Sequence, residues 1–254
     1  MTVTNIEWWP RHMLRAVSSS FTLGTLNGQV QPIFSARPRV FADPFERRWF
    51  CTFQSPPMGE SESGEVGTAS FKPSFREAQG RIRKMVGSAC GVRVFDQFAK
   101  EPQYNVEHAG TPSNWSDGST WSDGSRWTSG FLPPYITVDE DAEVGDGSIV
   151  VRGLPASITR VFRIDDRFEI EPNGARVNYC HYYAIDDDCR TTAAGKVRIY
   201  FSPGLTAAVK AGDSVRLKYP AAVMVATDDK QGEIQRGLTT GSFGVTLVGV
   251  LPSD

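Results

Sequence analysis

The sequence predicts an all-β protein with one flanking helix, and three observations lead to that class. Glycine and proline, 24 and 16 of 254 residues, are spread along the whole chain rather than gathered in one linker. Between them recur short runs rich in β-branched and aromatic residues, the pattern of strands bounded by turns. Helical periodicity is confined to a single stretch.

In the N-terminal part the clearest strands are Arg48 to Phe53 and Gly91 to Phe95. The helix is expected between them, over Ser74 to Val86. There Phe75, Ala78, Ile82 and Met85 or Val86 fall at helical spacing, with Arg76, Gln79, Arg83 and Lys84 between them. Ser74 and Glu77 suit a capping box, Gly87 suits the C-terminal cap, and Arg83 and Lys84 complement the dipole at that end. A helix that reads nucleic acid needs more basic residues around it, so this one is read as cover for a sheet face.

Composition changes between Glu107 and Gly130. Asn114-Trp115-Ser116-Asp117-Gly118-Ser119 is followed by Trp121-Ser122-Asp123-Gly124-Ser125 and Trp127-Thr128-Ser129-Gly130, a short repeat of period six. Indoles separated by Ser-Asp-Gly turns cannot build a core of their own and are too apolar to be left in water. Trp115, Trp121 and Trp127 are therefore candidate contact residues of an arm, 107–130, that packs on its own domain or on an adjacent subunit. Stacking on a sugar is the further alternative.

Beyond the arm, Phe131-Leu132-Pro133-Pro134-Tyr135 reads as an extended linker. A second unit, 139–219, then carries five strand-like runs: Ser148 to Leu154, Asp166 to Ile170, Val177 to Ile185, Lys196 to Phe201 and Ser214 to Tyr219. Lys196-Val197-Arg198-Ile199-Tyr200 puts Val197 and Ile199 on one face, as a half-buried strand requires. Alternation in Tyr179-Cys180-His181-Tyr182-Tyr183 places Cys180 and Tyr182 on one face and the other three on the opposite one. Five such strands suffice for a small barrel. The last runs, Ala221 to Ala226 and Phe243 to Leu251, resemble the N-terminal half and are expected to return to it, with Phe243, Val245, Leu247 and Leu251 on one face.

Composition limits the functional classes. A 40% hydrophobic content supports one large domain or a main domain with a companion. No stretch approaches the roughly 18 consecutive apolar residues of a membrane span, and Met1 to Pro10 does not read as a secretory leader, so a soluble protein made in the cytosol is expected. A net charge of −2 offers no field for specific nucleic-acid binding or an anionic membrane, which leaves proteins as the expected partners. Cys51, Cys90, Cys180 and Cys189 have neither CxxC spacing nor histidines beside them and are read as free thiols. A Cys180–Cys189 bridge across a hairpin is the less favoured alternative in a reducing cytosol.

The chain contains no phosphate-binding glycine loop, GxSxG elbow, HExxH or EF-hand sequence. His12, His108 and His181 stand in unrelated contexts and are read as structural or surface residues. Asp186-Asp187-Asp188 is the most tempting calcium site. Successive residues of an extended chain point opposite ways, so a solvated hairpin tip is preferred. Asp117, Asp123, Asp139-Glu140-Asp141, Asp165-Asp166 and Asp228-Asp229 are read as solvated turns. No catalytic, metal or cofactor site is expected, and the chain is read as non-enzymatic.

The order of motifs in the second half carries a resemblance. It runs Ser148-Ile149-Val150-Val151-Arg152-Gly153-Leu154-Pro155, Ile164-Asp165-Asp166-Arg167-Phe168-Glu169-Ile170, and Tyr182-Tyr183-Ala184-Ile185. Gly195-Lys196-Val197-Arg198-Ile199-Tyr200-Phe201-Ser202-Pro203-Gly204-Leu205, Ala211-Gly212-Asp213-Ser214-Val215-Arg216-Leu217 and a closing strand from Phe243 to Val250 follow. This resembles the distal tail proteins of long, non-contractile-tailed bacteriophages, with Arg47-Arg48-Trp49-Phe50 and the helix fitting the N-terminal piece. The resemblance implies a tail-tube-like β-sandwich, 1–138 and 220–254, interrupted by an inserted small OB-like β-barrel, 139–219. It implies a virion subunit at the tail tip that forms a ring, commonly a hexamer, between the tail tube and the central hub or fibres. A carbohydrate-binding or host-recognition tail module is the alternative function.

Overall fold

A computed structural model describes residues 5–9, 18–25, 28–30, 39–41, 47–54, 58–59, 80, 82–84, 90–96, 98–108, 132–227, 234–236 and 240–252. The protein is all-β with a small closed barrel, and it divides into two compact units. The first comprises Met1–Asp96, Asn178–Cys180 and Ala222–Asp254; the second comprises Gln97–Val177 and His181–Ala221. The second unit is thus wider than the 139–219 expected from sequence, since it includes the segment from Gln97.

The first unit is a mixed sheet whose strands come from both ends of the chain. In chain order the strands of this unit before the barrel are β1 (Asn5–Trp8), β2 (Ser18–Thr25), β3 (Gly28–Val30), β4 (Arg39–Phe41), β5 (Arg47–Gln54), β6 (Met58–Gly59) and β7 (Cys90–Val94), of which β3 and β4 form a separate two-stranded sheet. The barrel strands are β8 (Tyr135–Val138), β9 (Ser148–Arg152), β10 (Arg167–Glu171), β11 (Tyr182–Ile185), β12 (Lys196–Ser202) and β13 (Ser214–Arg216). Then β14 (Ala222–Ala226), β15 (Ile234–Arg236) and β16 (Thr240–Gly249) return to the sheet, whose main path is β1-β7-β14-β16-β5-β2. The C-terminal strand β16 lies inside the sheet between β14 and β5, so the N-terminal strands depend on a segment that follows the barrel in sequence.

Register fixes which face is buried. Leu247 stands opposite Cys51, which stands opposite Phe21, and Val245 stands opposite Phe53. Val245 and Leu247 lie on one buried face as expected, Trp49, Cys51 and Phe53 alternate inward on β5, and Trp9 stacks on Phe53 with ring centroids 4.4 Å apart. Beyond the strand end Leu251 is half-buried; the side chain of Phe243 lies outside the described residues. Gly80 and residues 82–84 are helical with Ile82 buried, and Lys84 pairs with Glu7 of β1. The remainder of the expected 74–86 helix lies outside the described residues. A second helix, Gln103–His108, was not expected.

The barrel closes in the order β10-β11-β12-β9-β8-β13. Its interior is filled by Phe168, Tyr183 and Phe201, with centroids 4.9 to 5.4 Å apart, beneath layers of Ile and Val. It has six strands where sequence predicted five. The additional one, β8, starts at Tyr135, the last residue of the expected linker, and joins β9 to β13. Its period-2 pattern, Ile136 and Val138 inward, spans only four residues behind two prolines and gives a weak signal.

The expected strand Val177 to Ile185 is shortened to β11. Asn178–Cys180 belongs to the first unit, where the Cys180 amide donates to Val250 O at 2.7 Å and Tyr179 packs beside Val223 and Val250. His181 and Tyr183 share a face, their rings 5.6 Å apart, and both faces are covered, since Cys180, His181, Tyr182 and Tyr183 are all buried. In β10, Glu169 and Glu171 are buried too: Arg216 Nε donates to Glu171 at 2.8 Å, and the Ala221 amide donates to Glu169 at 3.0 Å. Pairing of this kind is what allows a carboxylate to leave water.

Three barrel strands begin with the same device. In Glu143 to Asp146, Arg163 to Asp166 and Lys210 to Asp213, the first amide donates to the carboxylate of the fourth residue at 2.8 to 2.9 Å. The amide of that aspartate donates back to the first carbonyl at 3.0 to 3.2 Å. The third residue, Gly145, Asp165 or Gly212, has positive φ, which glycine adopts without cost and aspartate tolerates. Asp165-Asp166 is therefore a turn, as expected, but only Asp165 is solvated. Asp166 is buried and its second oxygen accepts the Gln103 amide at 2.8 Å.

Candidate assembly surfaces

The ends of the main sheet in the first unit carry unfilled bonding capacity. Among the described residues no strand pairs with the outer edge of β1 or of β2. The β2 strand, Ser-Ser-Ser-Phe-Thr-Leu-Gly-Thr, is eight residues long and holds neither a charge nor a proline, the residues with which soluble proteins blunt such an edge. Ser20 and Thr22 are exposed, and Trp8 of β1 is 47% exposed. β1 runs parallel to β7, and the four steps from β7 to β2 are all antiparallel. The two edge strands consequently run in the same direction.

A second surface lies in the barrel unit, where the segment holding the candidate tryptophans leaves and returns. Trp115, Trp121 and Trp127 themselves lie outside the described residues, as does 109–131 as a whole. The described residues on either side are tied together. Asn105, buried, accepts the Leu132 amide through Oδ1 at 2.7 Å, and Leu132 enters the barrel core. The helix carrying Asn105 is held in turn by Asp166 on the Gln103 amide, by Gln103 Nε2 donating to Ile164 O at 2.9 Å, and by a two-pronged pairing of Arg163 with Glu107. Tyr104 packs against the same core. Both ends of the arm are thus seated on the barrel unit.

The residues weighed for chemistry do not converge. Asp186 accepts Ser202 Oγ at 2.7 Å, and Asp188 accepts Arg160 Nε at 2.7 Å and the Ile164 amide, so two carboxylates of this run point to separate partners. Among the described residues no group of three or more His, Cys, Asp or Glu side chains is placed to hold a metal ion. The four cysteines are free; burial pushes the Cys51 thiol up and raises that of Cys189 to about 11, which leaves both protonated and poor nucleophiles. His181 is held neutral by burial, its pKa lowered to about 4 with Asp213 opposing the shift. His12 lies outside the described residues, and His108 ends the helix beside the arm.

Sequence reasoning missed both the open β2 edge and the Asn105 pin. Neither had a local signal: Ser18–Thr25 is polar and lies inside a longer uncharged run, and Asn105 meets a partner 27 residues away. No family model and no curated protein matches the chain.

Proposed function

We propose that this chain is a structural subunit of a bacteriophage tail tip, one of a ring, most simply a hexamer, that joins the tail tube to the central hub or fibres. Its work is assembly rather than catalysis, and its partners are copies of itself and the neighbouring tail proteins of the virion. The observation that carries the reading is the interrupted topology: a sheet made of the first 96 and the last 33 residues, split by a closed barrel. That is the arrangement which the order of motifs in the second half implies for distal tail proteins.

The two sheet edges supply a physical route to a ring. Because β1 and β2 run the same way, β2 of one copy can join β1 of the next in parallel without inverting the subunit. Each added backbone hydrogen bond contributes about 1 kcal/mol. Such a contact is head-to-tail, so repeated rotation closes it and leaves no edge. The tryptophan arm, rooted on the barrel unit, is a second contact with a neighbour, each indole contributing on the order of 1 to 3 kcal/mol if fully buried.

The deciding measurement is the copy number and position of the chain in an intact particle. A single copy, a distribution along the whole tube or a place on the capsid ends the ring reading. A ring that survives Trp115→Ala, Trp121→Ala and Trp127→Ala together removes only the arm from its contacts.

A further inference from the structure

The connection from β10 to β11 begins with a tight, exposed turn in which an asparagine precedes a glycine. Pro172-Asn173-Gly174-Ala175 is closed by the Ala175 amide donating to Pro172 O at 3.0 Å. Asn173 has φ 53 and ψ 27, and Gly174 has φ 69. Both central residues are left-handed, as a type I′ turn requires, and both are exposed. The Asn173 amide donates to Asp213 Oδ1 at 2.8 Å. Asp213 is buried, and its other oxygen holds the Lys210 amide at 2.8 Å, so one carboxylate pins two turns.

We infer that Asn173 is a deamidation site whose reaction is gated by this turn and its Asp213 pin. The chemistry needs only water. The Gly174 backbone nitrogen attacks Asn173 Cγ, and a C–N bond forms. The Cγ–Nδ2 bond breaks, and ammonia leaves with the proton released from the Gly174 nitrogen. Water then opens the five-membered imide at either carbonyl, giving aspartate or isoaspartate. Glycine after asparagine makes the attack least hindered, since no side chain shields the nitrogen.

Geometry decides when it happens. Ring closure requires the Gly174 nitrogen to eclipse Cβ of Asn173 about the Cα–C bond, whereas ψ of 27 sets it almost opposite. The folded turn therefore protects the residue, and reaction proceeds through local opening, in which the Ala175–Pro172 and Asn173–Asp213 hydrogen bonds are both lost. Once formed, the product resists return to the native turn. Isoaspartate lengthens the main chain by one carbon inside a four-residue turn, and either product puts a second carboxylate beside Asp213. The modification is thus a record of how often this end of the barrel has opened, and it does not depend on the functional reading above.

The test follows one peptide. Trypsin releases 168–176 by cleaving after Arg167 and Arg176, and chromatography with mass detection separates its Asn, Asp and isoaspartyl forms. The intact chain is incubated at mildly alkaline pH with and without denaturing urea. Conversion is expected in urea, at least about tenfold slower in the folded chain, and absent in Asn173→Gln. In Asp213→Ala the folded-chain rate should move toward the unfolded one. Should that variant fail to fold, hydrogen exchange at the Ala175 amide of the native chain replaces it, because exchange and deamidation must share one opening equilibrium at low urea. Equal rates in folded and unfolded chain, no conversion in urea, or deamidation that does not track Ala175 exchange would each overturn the inference.

Discussion

Acidification should destabilise this protein through His181 before most carboxylates are neutralised. The imidazole is 1% exposed, sits edge-on to the Tyr183 ring at 5.6 Å and has its pKa lowered to about 4, chiefly by burial. In the unfolded chain it returns to about 6.5. Between these values the unfolded state binds a proton that the folded state refuses, so the sign is set: stability is complete above about 6.5 and falls as pH drops toward 4. At about 1.4 kcal/mol per tenfold change, a fall from 6.5 to about 4 costs about 3 kcal/mol. With so little exposure, solvent screening removes little of that.

The comparison that isolates it is wild type against His181→Phe, which keeps a flat ring against Tyr183 and cannot titrate. Urea unfolding from pH 7.5 to 4 should show wild type losing about 3 kcal/mol more than the variant. The imidazole proton resonances of His181 give a direct check, since that ring should stay neutral at pH 5 in the folded chain. Asp213 opposes the shift, so Asp213→Asn should lower the His181 pKa further. If wild type and His181→Phe lost stability in parallel, or if His181 titrated near its ordinary value in the folded chain, the burial argument would be wrong.

Two glycines with the same backbone sign should respond differently to alanine. At Gly195, φ 68, a Cβ would lie 2.2 Å from Leu154 O, whereas at Gly174, φ 69, it meets open space; Gly195→Ala should cost more than about 3 kcal/mol in a thermal or urea melt and Gly174→Ala about 1 kcal/mol. Deleting 222–254 removes β14 and β16 from the middle of the sheet, so the shortened chain should be insoluble or melt at a lower temperature, and equal stability would refute the shared sheet. A fragment 139–219 lacks β8 and with it Ile136 and Val138 of the barrel core; it should give no cooperative melt, whereas 97–221, expressed alone, should give one and dispersed amide signals.

Much of this fold was legible because period-2 patterning acts locally. Arg47–Gln54 and Lys196–Ser202 were found within one or two residues, since each buries alternate apolar side chains and exposes or half-exposes the rest; Cys90–Val94 was found from its valine-rich run, although residues 91–94 are all buried. The edge strands β1 and β2 were not found. Ser18–Thr25 has the polarity of a loop, and what makes it a strand is the eight-residue register with β5. β10 was placed within one residue, but the burial of both its glutamates, which accept from Arg216 and the Ala221 amide, had no local signal. At the candidate site the tryptophans stand out from composition alone, but what holds the arm at its base could not be read, because each clamp joins residues far apart in the chain.

The three aspartate turns show where the limit lies. Glu143 to Asp146, Arg163 to Asp166 and Lys210 to Asp213 share one local hydrogen-bond pattern, and a Gly-Asp or Asp-Asp pair before a strand announces each of them. Local sequence therefore predicts the turn. It does not predict burial: Asp146 is exposed, whereas Asp166 and Asp213 are buried. The difference is a second donor brought by the rest of the fold, the Gln103 amide from 63 residues away and the Asn173 amide from 40. A carboxylate with one backbone donor keeps its free oxygen in water; one with a donor on each oxygen can be withdrawn from it. The same four-residue device thus ends a loop at Asp146, anchors the helix beside the tryptophan arm at Asp166, and holds the Asn173 turn shut at Asp213.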